Sequence, residues 1–269
     1  MQTQISIIGC GWLGFPLATH LISKGYKIKG STTSPEKIKT LKEAGIKAYE
    51  VCLNKSQIHG DYNAFLDGSD TIIINIPPGL RKNPSKNHLN EMKHLVKAIN
   101  RHNIKNVLYT SSTSIFKDEA HFPEITSKTI PNSDTNNSKQ LIAIENLLKA
   151  QESFNTTILR FSGLIDSHRH PGKFLAGKKN ISNPDAPINL IHKHDCIAIM
   201  TKIVDAKHWN ITLNASFPMH PTKKTYYTTY SKTHNLPLPI FNSSEKSLGK
   251  IIKSDDLVQL LNYSLEHGL

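Results

Sequence analysis

A chain of 269 residues with 38% hydrophobic side chains is long enough for one large α/β domain, or for a domain with a smaller lobe. Its longest apolar runs, such as residues 71–76, are far too short to span a bilayer. Residues 1–8 lack the order of a secretory signal, and three scattered cysteines speak against a disulfide framework or a zinc site, so the expected compartment is the cytoplasm. The net charge of +12 comes from 33 Lys and Arg against 21 Asp and Glu, scattered along the chain. It suits an acidic ligand, but no basic stripe interleaved with aromatics argues for nucleic acid.

The elements follow in chain order. Residues 4–8 read as a short strand, and after a glycine-rich turn Leu13, Leu17, Leu21 and Ile22 mark a helix face. Pro16 falls in the first turn of that helix and Gly25 ends it. Residues 26–31 form a second strand, 35–43 a short helix opened by Pro35, and 46–53 a third strand. The branched run 71–76 suits a strand buried on both faces. Leu89, Met92, Val96 and Ile99 mark a helix, 106–110 a strand, and 117–137 a polar loop. Another helix carries Leu141, Ile144, Leu147 and Leu148, and 157–161 is a strand. Beyond Gly163 the pattern loosens into loops at 168–172 and 183–187. Asp195 is placed to cap a helix bearing Cys196, Met200, Ile203 and Val204. A strand at 211–215 and a final helix at 255–261 complete the reading. Strand–helix alternation predicts an α/β, Rossmann-type doubly wound parallel sheet with a small C-terminal substrate lobe. The expected domains are 1–162 for the sheet and its helices and 163–269 for the lobe, with about 188–215 returning to the core.

Gly9-Cys10-Gly11-Trp12-Leu13-Gly14 is G-x-G-x-x-G placed between a strand and a helix. Each glycine has a separate reason there: a tight turn, close approach of backbone to pyrophosphate, and close packing of helix on sheet. The helix N-terminus supplies N–H groups and partial positive charge to the phosphates. A binder of NAD usually carries Asp or Glu at the end of the second strand. Here the first acidic residue is Glu36, and the strand runs out into Ser31, Thr32 and Thr33 with Lys29 or Lys37 nearby. That favours NADP, with NAD as the alternative. The missing acid also removes the case for a methyltransferase.

Residues 7–43 also resemble the start of β-hydroxyacid dehydrogenases, but the later motifs of that family are absent. The stretch Tyr109-Thr-Ser-Ser-Thr-Ser-Ile-Phe116 resembles the strand-end serine motif of the short-chain dehydrogenase/reductase superfamily, in its extended or atypical NAD-dependent epimerase/dehydratase branch. Residues 159–165 and 189–195 are similar to later segments of that branch, while 168–172 and 214–230 look like its small bacterial members. The resemblance covers essentially the whole chain. It implies Gly9, Gly11, Trp12, Leu13, Gly14, Ser31, Thr32, Thr33, Lys37, Ile76, Pro77, Pro78 and Ser111 around the cofactor. It also implies Ser112 at the catalytic serine position, with Thr113 and Ser114 beside the substrate; the same serines also satisfy backbone at many strand ends.

The departure from the family is in the next helix. Aligning Glu145 with the family's helix glutamate puts Asn137 and Leu141 where the catalytic Tyr and Lys stand. Neither moves a proton. His192 is then a candidate acid or base, Ser114 a further candidate, and Arg169 with His170 a candidate anion-holding pair. His192 and His194 form a His-x-His pair with no third ligand in the neighbouring sequence, so no metal is expected. The function expected is NADP-dependent oxidoreductase or epimerase chemistry on a small polar substrate of the sugar or nucleotide-sugar kind, by a monomer or homodimer. The alternative is a non-catalytic NADP sensor or scaffold.

Overall fold

The structure is a computed structural model describing residues 3–80 and 82–268. The elements are β1 (Gln4–Ile8), α1 (Gly14–Ser23), β2 (Lys27–Thr32), α2 (Lys37–Glu43), β3 (Lys47–Leu53), β4 (Ile58–Gly60), α3 (Tyr62–Leu66), β5 (Thr71–Ile74), α4 (His88–Arg101) and β6 (Asn106–Ser112). They continue as β7 (Glu124–Ile125), α5 (Asn136–Lys149), β8 (Asn155–Phe161), β9 (Gly163–Ile165), α6 (Pro171–Leu175), β10 (Leu190–His192) and α7 (Lys193–Ala206). The chain finishes with β11 (Thr212–Ala215), α8 (Lys223–Thr233), β12 (Ile251–Ile252) and α9 (Asp255–Leu261).

An eight-stranded sheet has the order β11-β8-β6-β5-β1-β2-β3-β4. The pairs β1–β2, β2–β3, β1–β5 and β5–β6 are parallel, and β4 is antiparallel to β3. Strand order reverses between β1 and β5, the switch point at which doubly wound sheets bind their ligands. The strands beside that point are apolar because helices cover both faces: Ile5, Ile7, Ile72, Ile73 and Ile74 are fully buried. Helix α1 buries Leu17, Ala18 and Leu21, which share one face at helical spacing. Gly25 follows α1 at φ +91°, a left-handed stop that glycine adopts without a Cβ clash.

The chain forms two compact units. The first holds Met1–Ser112, Thr135–Leu159 and Ile197–Thr212; the second holds Thr113–Asp134, Arg160–Cys196 and Leu213–Leu269. The chain therefore crosses between units several times, with Ile197–Thr212 belonging to the first. In the second unit β7 pairs with β12 and β9 with β10, both parallel. The first of these pairs gives the segment 113–134 its partner far along the chain, in the C-terminal third. Ile165, Ile188, Leu190 and Tyr227 form an apolar cluster inside this unit.

Two local expectations change. Residues 35 and 36 form a turn and α2 starts at Lys37, although Pro35 is well suited to open a helix. Helix α8, in a stretch rich in Thr and Tyr, carries little propensity of its own. It is held by Thr222 at its N-cap, whose hydroxyl accepts the Thr225 N–H, and by burial of Tyr227 and Ser231.

Lys29 is buried within β2, and its ammonium donates to the carbonyls of Ala64, at 2.9 Å, and Asp67. Burial, and then repulsion from Lys47, lower its pKa below the usual lysine range. Lys29→Met leaves those carbonyls without a donor, so stability is expected to fall by about 1–3 kcal/mol. Thermal melting checks this, with no accompanying change in the preference between NADPH and NADH.

Candidate functional site

The C-terminal ends of β1 and β5 are joined by the Asn75 N–H to the Ile8 carbonyl, 3.0 Å, and by the Asn75 side-chain amide to the Gly9 carbonyl, 3.1 Å. The three glycines differ sharply in what surrounds them. Gly9 has φ +99°, and a Cβ on it would lie 2.4 Å from the Asn75 carbonyl oxygen. A Cβ on Gly14 would lie 2.2 Å from the Gly9 carbonyl oxygen. A Cβ on Gly11 would meet nothing within 4 Å. Two glycines therefore close the turn on itself, and the middle one leaves a backbone face open. No side chain among the described residues caps α1, so its N-terminal positive end also faces that opening. This arrangement fits a pyrophosphate.

Ser31 and Cys10 brace the turn. The Ser31 hydroxyl accepts the Gly9 N–H at 3.2 Å, and its carbonyl accepts the Cys10 N–H at 2.8 Å. Burial pushes the Cys10 thiol up to about 12, which makes it an inert packing group. Leu13 is buried, so only its backbone faces a ligand; Trp12 is half-buried. At the end of β2 the Thr32 hydroxyl accepts the Ser34 N–H, while Thr33 and Lys37 are exposed. Of the two lysines suggested by the sequence, Lys29 is taken by carbonyls and Lys37 stays exposed.

Beyond β5, Ile76 and Pro78 are half-buried and Pro77 is exposed. At the end of β6, Ser111 turns inward and donates to Glu145 on α5 at 2.6 Å. That removes its proton from any cofactor contact. Strand alternation turns the half-buried Ser112 the other way. On α5, Asn137 is half-buried and Leu141 buried. Tyr109 is also buried, and burial followed by the charge of Glu145 holds its phenol well above the usual range. It offers no substitute for a catalytic tyrosine.

In the second unit, Thr113 opens a 3₁₀ turn over Thr113–Ile115 and is buried, with its hydroxyl 3.5 Å from the Phe161 carbonyl; Ser114 is exposed. Arg169 is exposed, and its N–H donates to Asp166. Burial alone would raise the Asp166 pKa. Lys193 and the N–H groups of Arg169 and His168 outweigh that and hold the carboxyl well below the usual range.

His170 behaves differently from the anion-holding role suggested for it. Its Nδ1 accepts the Gly172 N–H at 3.1 Å as the N-cap of α6, its Nε2 lies 2.7 Å from the Tyr226 hydroxyl, and its ring stacks on Tyr230. A ring accepting at Nδ1 is neutral. Burial, then His234 and Lys173, lower its pKa to about 4. It therefore brings no positive charge to a substrate.

Asp195 is in the first turn of α7 rather than at its cap, because the helix already begins at Lys193. Its fully buried carboxylate accepts from the Tyr263 hydroxyl at 2.6 Å and the N–H groups of Glu266 and His267. His192 and His194 lie with His267, a residue that local sequence spacing does not bring to them. Burial, followed by the charges of His194 and His267, lowers the His192 pKa.

The family described as NAD(P)H-binding matches residues 9–205, and the chain belongs to it. Protein YeeZ of Escherichia coli (strain K12) is 29% identical over 270 residues, covering 98% of this chain and 96% of YeeZ. Among solved structures, MoeE5 in complex with UDP-glucuronic acid and NAD has a TM-score of 0.80 at 13% identity, covering 98% of this chain and 94% of that one. The UDP-N-acetylglucosamine 4-epimerase from Bacillus cereus has 0.79 at 17% identity, covering 99% and 92%. The chain thus shares its fold with these two structures. Among the described residues, no helix is long and apolar enough to cross a membrane.

Two expectations follow from these geometries. Gly11→Ala keeps the melting temperature, because its Cβ enters open space, and weakens dinucleotide binding at least about 10-fold by standing where phosphate approaches. Gly14→Ala loses about 1–3 kcal/mol of stability as well, because backbone has to shift. Calorimetry and thermal melting on the pair separate the two effects. For His170 the folded pKa is depressed, so its contribution is complete above the unfolded value near 6.5 and is lost as pH falls toward about 4. His170→Asn retains an N-cap acceptor, and its melting temperature is expected to fall less than that of the native chain between those pH values.

Proposed function

We propose that this chain is an NADP-dependent oxidoreductase or epimerase/dehydratase-like enzyme acting on a small polar substrate of the sugar or nucleotide-sugar type. The observation that carries this reading is the open backbone face at Gly11 between two glycines closed by backbone contact. A bound NADP would supply hydride transfer at its nicotinamide. Gly9, Gly11, Trp12, Leu13 and Gly14 would hold the pyrophosphate through the turn, and Ser31, Thr32, Thr33 and Lys37 would surround the adenosine ribose and its phosphate. Ile76, Pro77 and Pro78 would line the cofactor cleft, with Ser111 bracing it through Glu145. Ser112 would hydrogen-bond the reacting oxygen of the substrate, with Thr113, Ser114 and Arg169 as further substrate contacts. The nucleotide sugars named for MoeE5 and the Bacillus cereus epimerase support the substrate class, as does the net charge of +12.

A second reading, a cofactor-binding sensor without catalysis, is favoured by Leu141. Its side chain is buried where the family aligns a catalytic lysine. The two readings share cofactor binding and differ in turnover.

Calorimetric titration is expected to show tighter binding of NADPH than of NADH, with Lys37→Ala narrowing the gap about 10-fold. Tighter NADH binding sinks the NADP assignment. A screen of UDP-sugars and carbonyl compounds follows. Turnover that Ser112→Ala lowers about 100-fold, at unchanged NADPH affinity, supports the enzyme. Tight NADPH binding without turnover supports the sensor, and failure to bind either dinucleotide overturns both.

A further inference from the structure

The strand β10 ends in His192, α7 begins with Lys193 and His194, and the chain beyond α9 returns to place His267 beside them. The three imidazoles each present a ligand nitrogen, all within 4.8 Å of one another. His192 and His267 stack, with centroids 4.9 Å apart and planes 14° apart, and His194 stands edge-on to both. Lys193, the cation between the two sequence-adjacent histidines, is paired with Asp166.

The distances within the cluster are informative. His194 Nδ1 lies 3.3 Å from His267 Nε2. That is within hydrogen-bond reach for two imidazole nitrogens sharing one proton. Metal–nitrogen bonds of about 2.0–2.1 Å at tetrahedral angles place two ligand nitrogens about 3.3–3.4 Å apart. The His194–His267 pair already has that spacing, and the His192 nitrogen lies within 4.8 Å of both. The other nitrogen of His267, Nδ1, donates to the buried Asp195 carboxylate at 3.2 Å. This fixes the tautomer that leaves a lone pair on Nε2, the arrangement found behind metal-bound histidines. Asp195 is itself held by Tyr263 and by the Glu266 and His267 N–H groups, so it does not swing into the metal position.

We propose that His192, His194 and His267 bind one divalent transition-metal ion of the zinc class, with Asp195 orienting His267 from behind. Three neutral imidazoles and no direct carboxylate ligand select a borderline ion over magnesium or calcium. His194 is exposed and gives the ion a way in. His192 turns inward to close the triangle, and water completes the fourth position. Because one ligand comes from the C-terminal segment, binding fastens that segment to the β10–α7 corner and stabilises the folded chain. The site rests on unit-two residues alone and does not depend on the dinucleotide reading.

The 269-residue chain, stripped with chelator and kept free of dinucleotide, is titrated with Co²⁺ as the probe and then with Zn²⁺ in competition. One Co²⁺ per chain is expected, with the intense visible absorption of a four-coordinate centre that Zn²⁺ abolishes. His194→Ala and His267→Ala lose that spectrum, while His121→Ala, at an exposed histidine outside the cluster, keeps it. Circular dichroism verifies folding; should His267→Ala unfold, His194→Ala carries the test, because the His194 side chain is exposed. Tyr263→Phe removes one bond to Asp195 and weakens binding about 10-fold. A folded native chain that binds no Co²⁺, or an unchanged spectrum in the His194 and His267 variants, overturns the proposal.

Discussion

The closure of the first turn onto the neighbouring strand governs the first unit. The carbonyl of Gly9 is approached by both the Asn75 amide and Gly14, with no room for a Cβ on Gly14. That contact sets where α1 starts, and hence the direction of its N-terminus. It also ties β1 to β5 where the strand order reverses. The rigid turn rests on strands buried on both faces, whose isoleucines hold it to the core. A phosphate site built from backbone needs such rigidity, because N–H groups have no rotamers with which to adjust.

Buried carboxylates order both units, each one surrounded by donors. Glu145 receives Ser111, Asp166 receives Lys193 and two backbone N–H groups, and Asp195 receives Tyr263 and two backbone N–H groups. An unpaired buried carboxylate would be costly, so each fixes the segments that supply its donors. Asp195 fixes the C-terminal segment in this way, and Asp166 the loop that leads to the His170 cap.

The sheet was legible because its strands and helices carry strong periodicity. The branched run at 71–74 and the faces of α1, α4 and α5 read directly from the sequence, and α9 falls on 255–261 as its pattern indicates. The second unit was less legible. Its strands β7, β9, β10 and β12 are two or three residues long, too short for any alternation to register. They exist because distant partners pair with them, as Ile251 and Ile252 do with Glu124 and Ile125.

The candidate site divides in the same way. The sequence by itself determined the glycine turn and the absence of an acid after β2. These are matters of residue identity at fixed local spacing. Tertiary structure decided which side chains remain available. It turned Lys29 onto the carbonyls of Ala64 and Asp67, Ser111 onto Glu145, and His170 into a neutral helix cap. It also brought His267 to His194 across 73 residues, a distance at which no local pattern in the chain carries information. Hydrogen bonds and ion contacts depend on proximity in space, and only the folded chain fixes that.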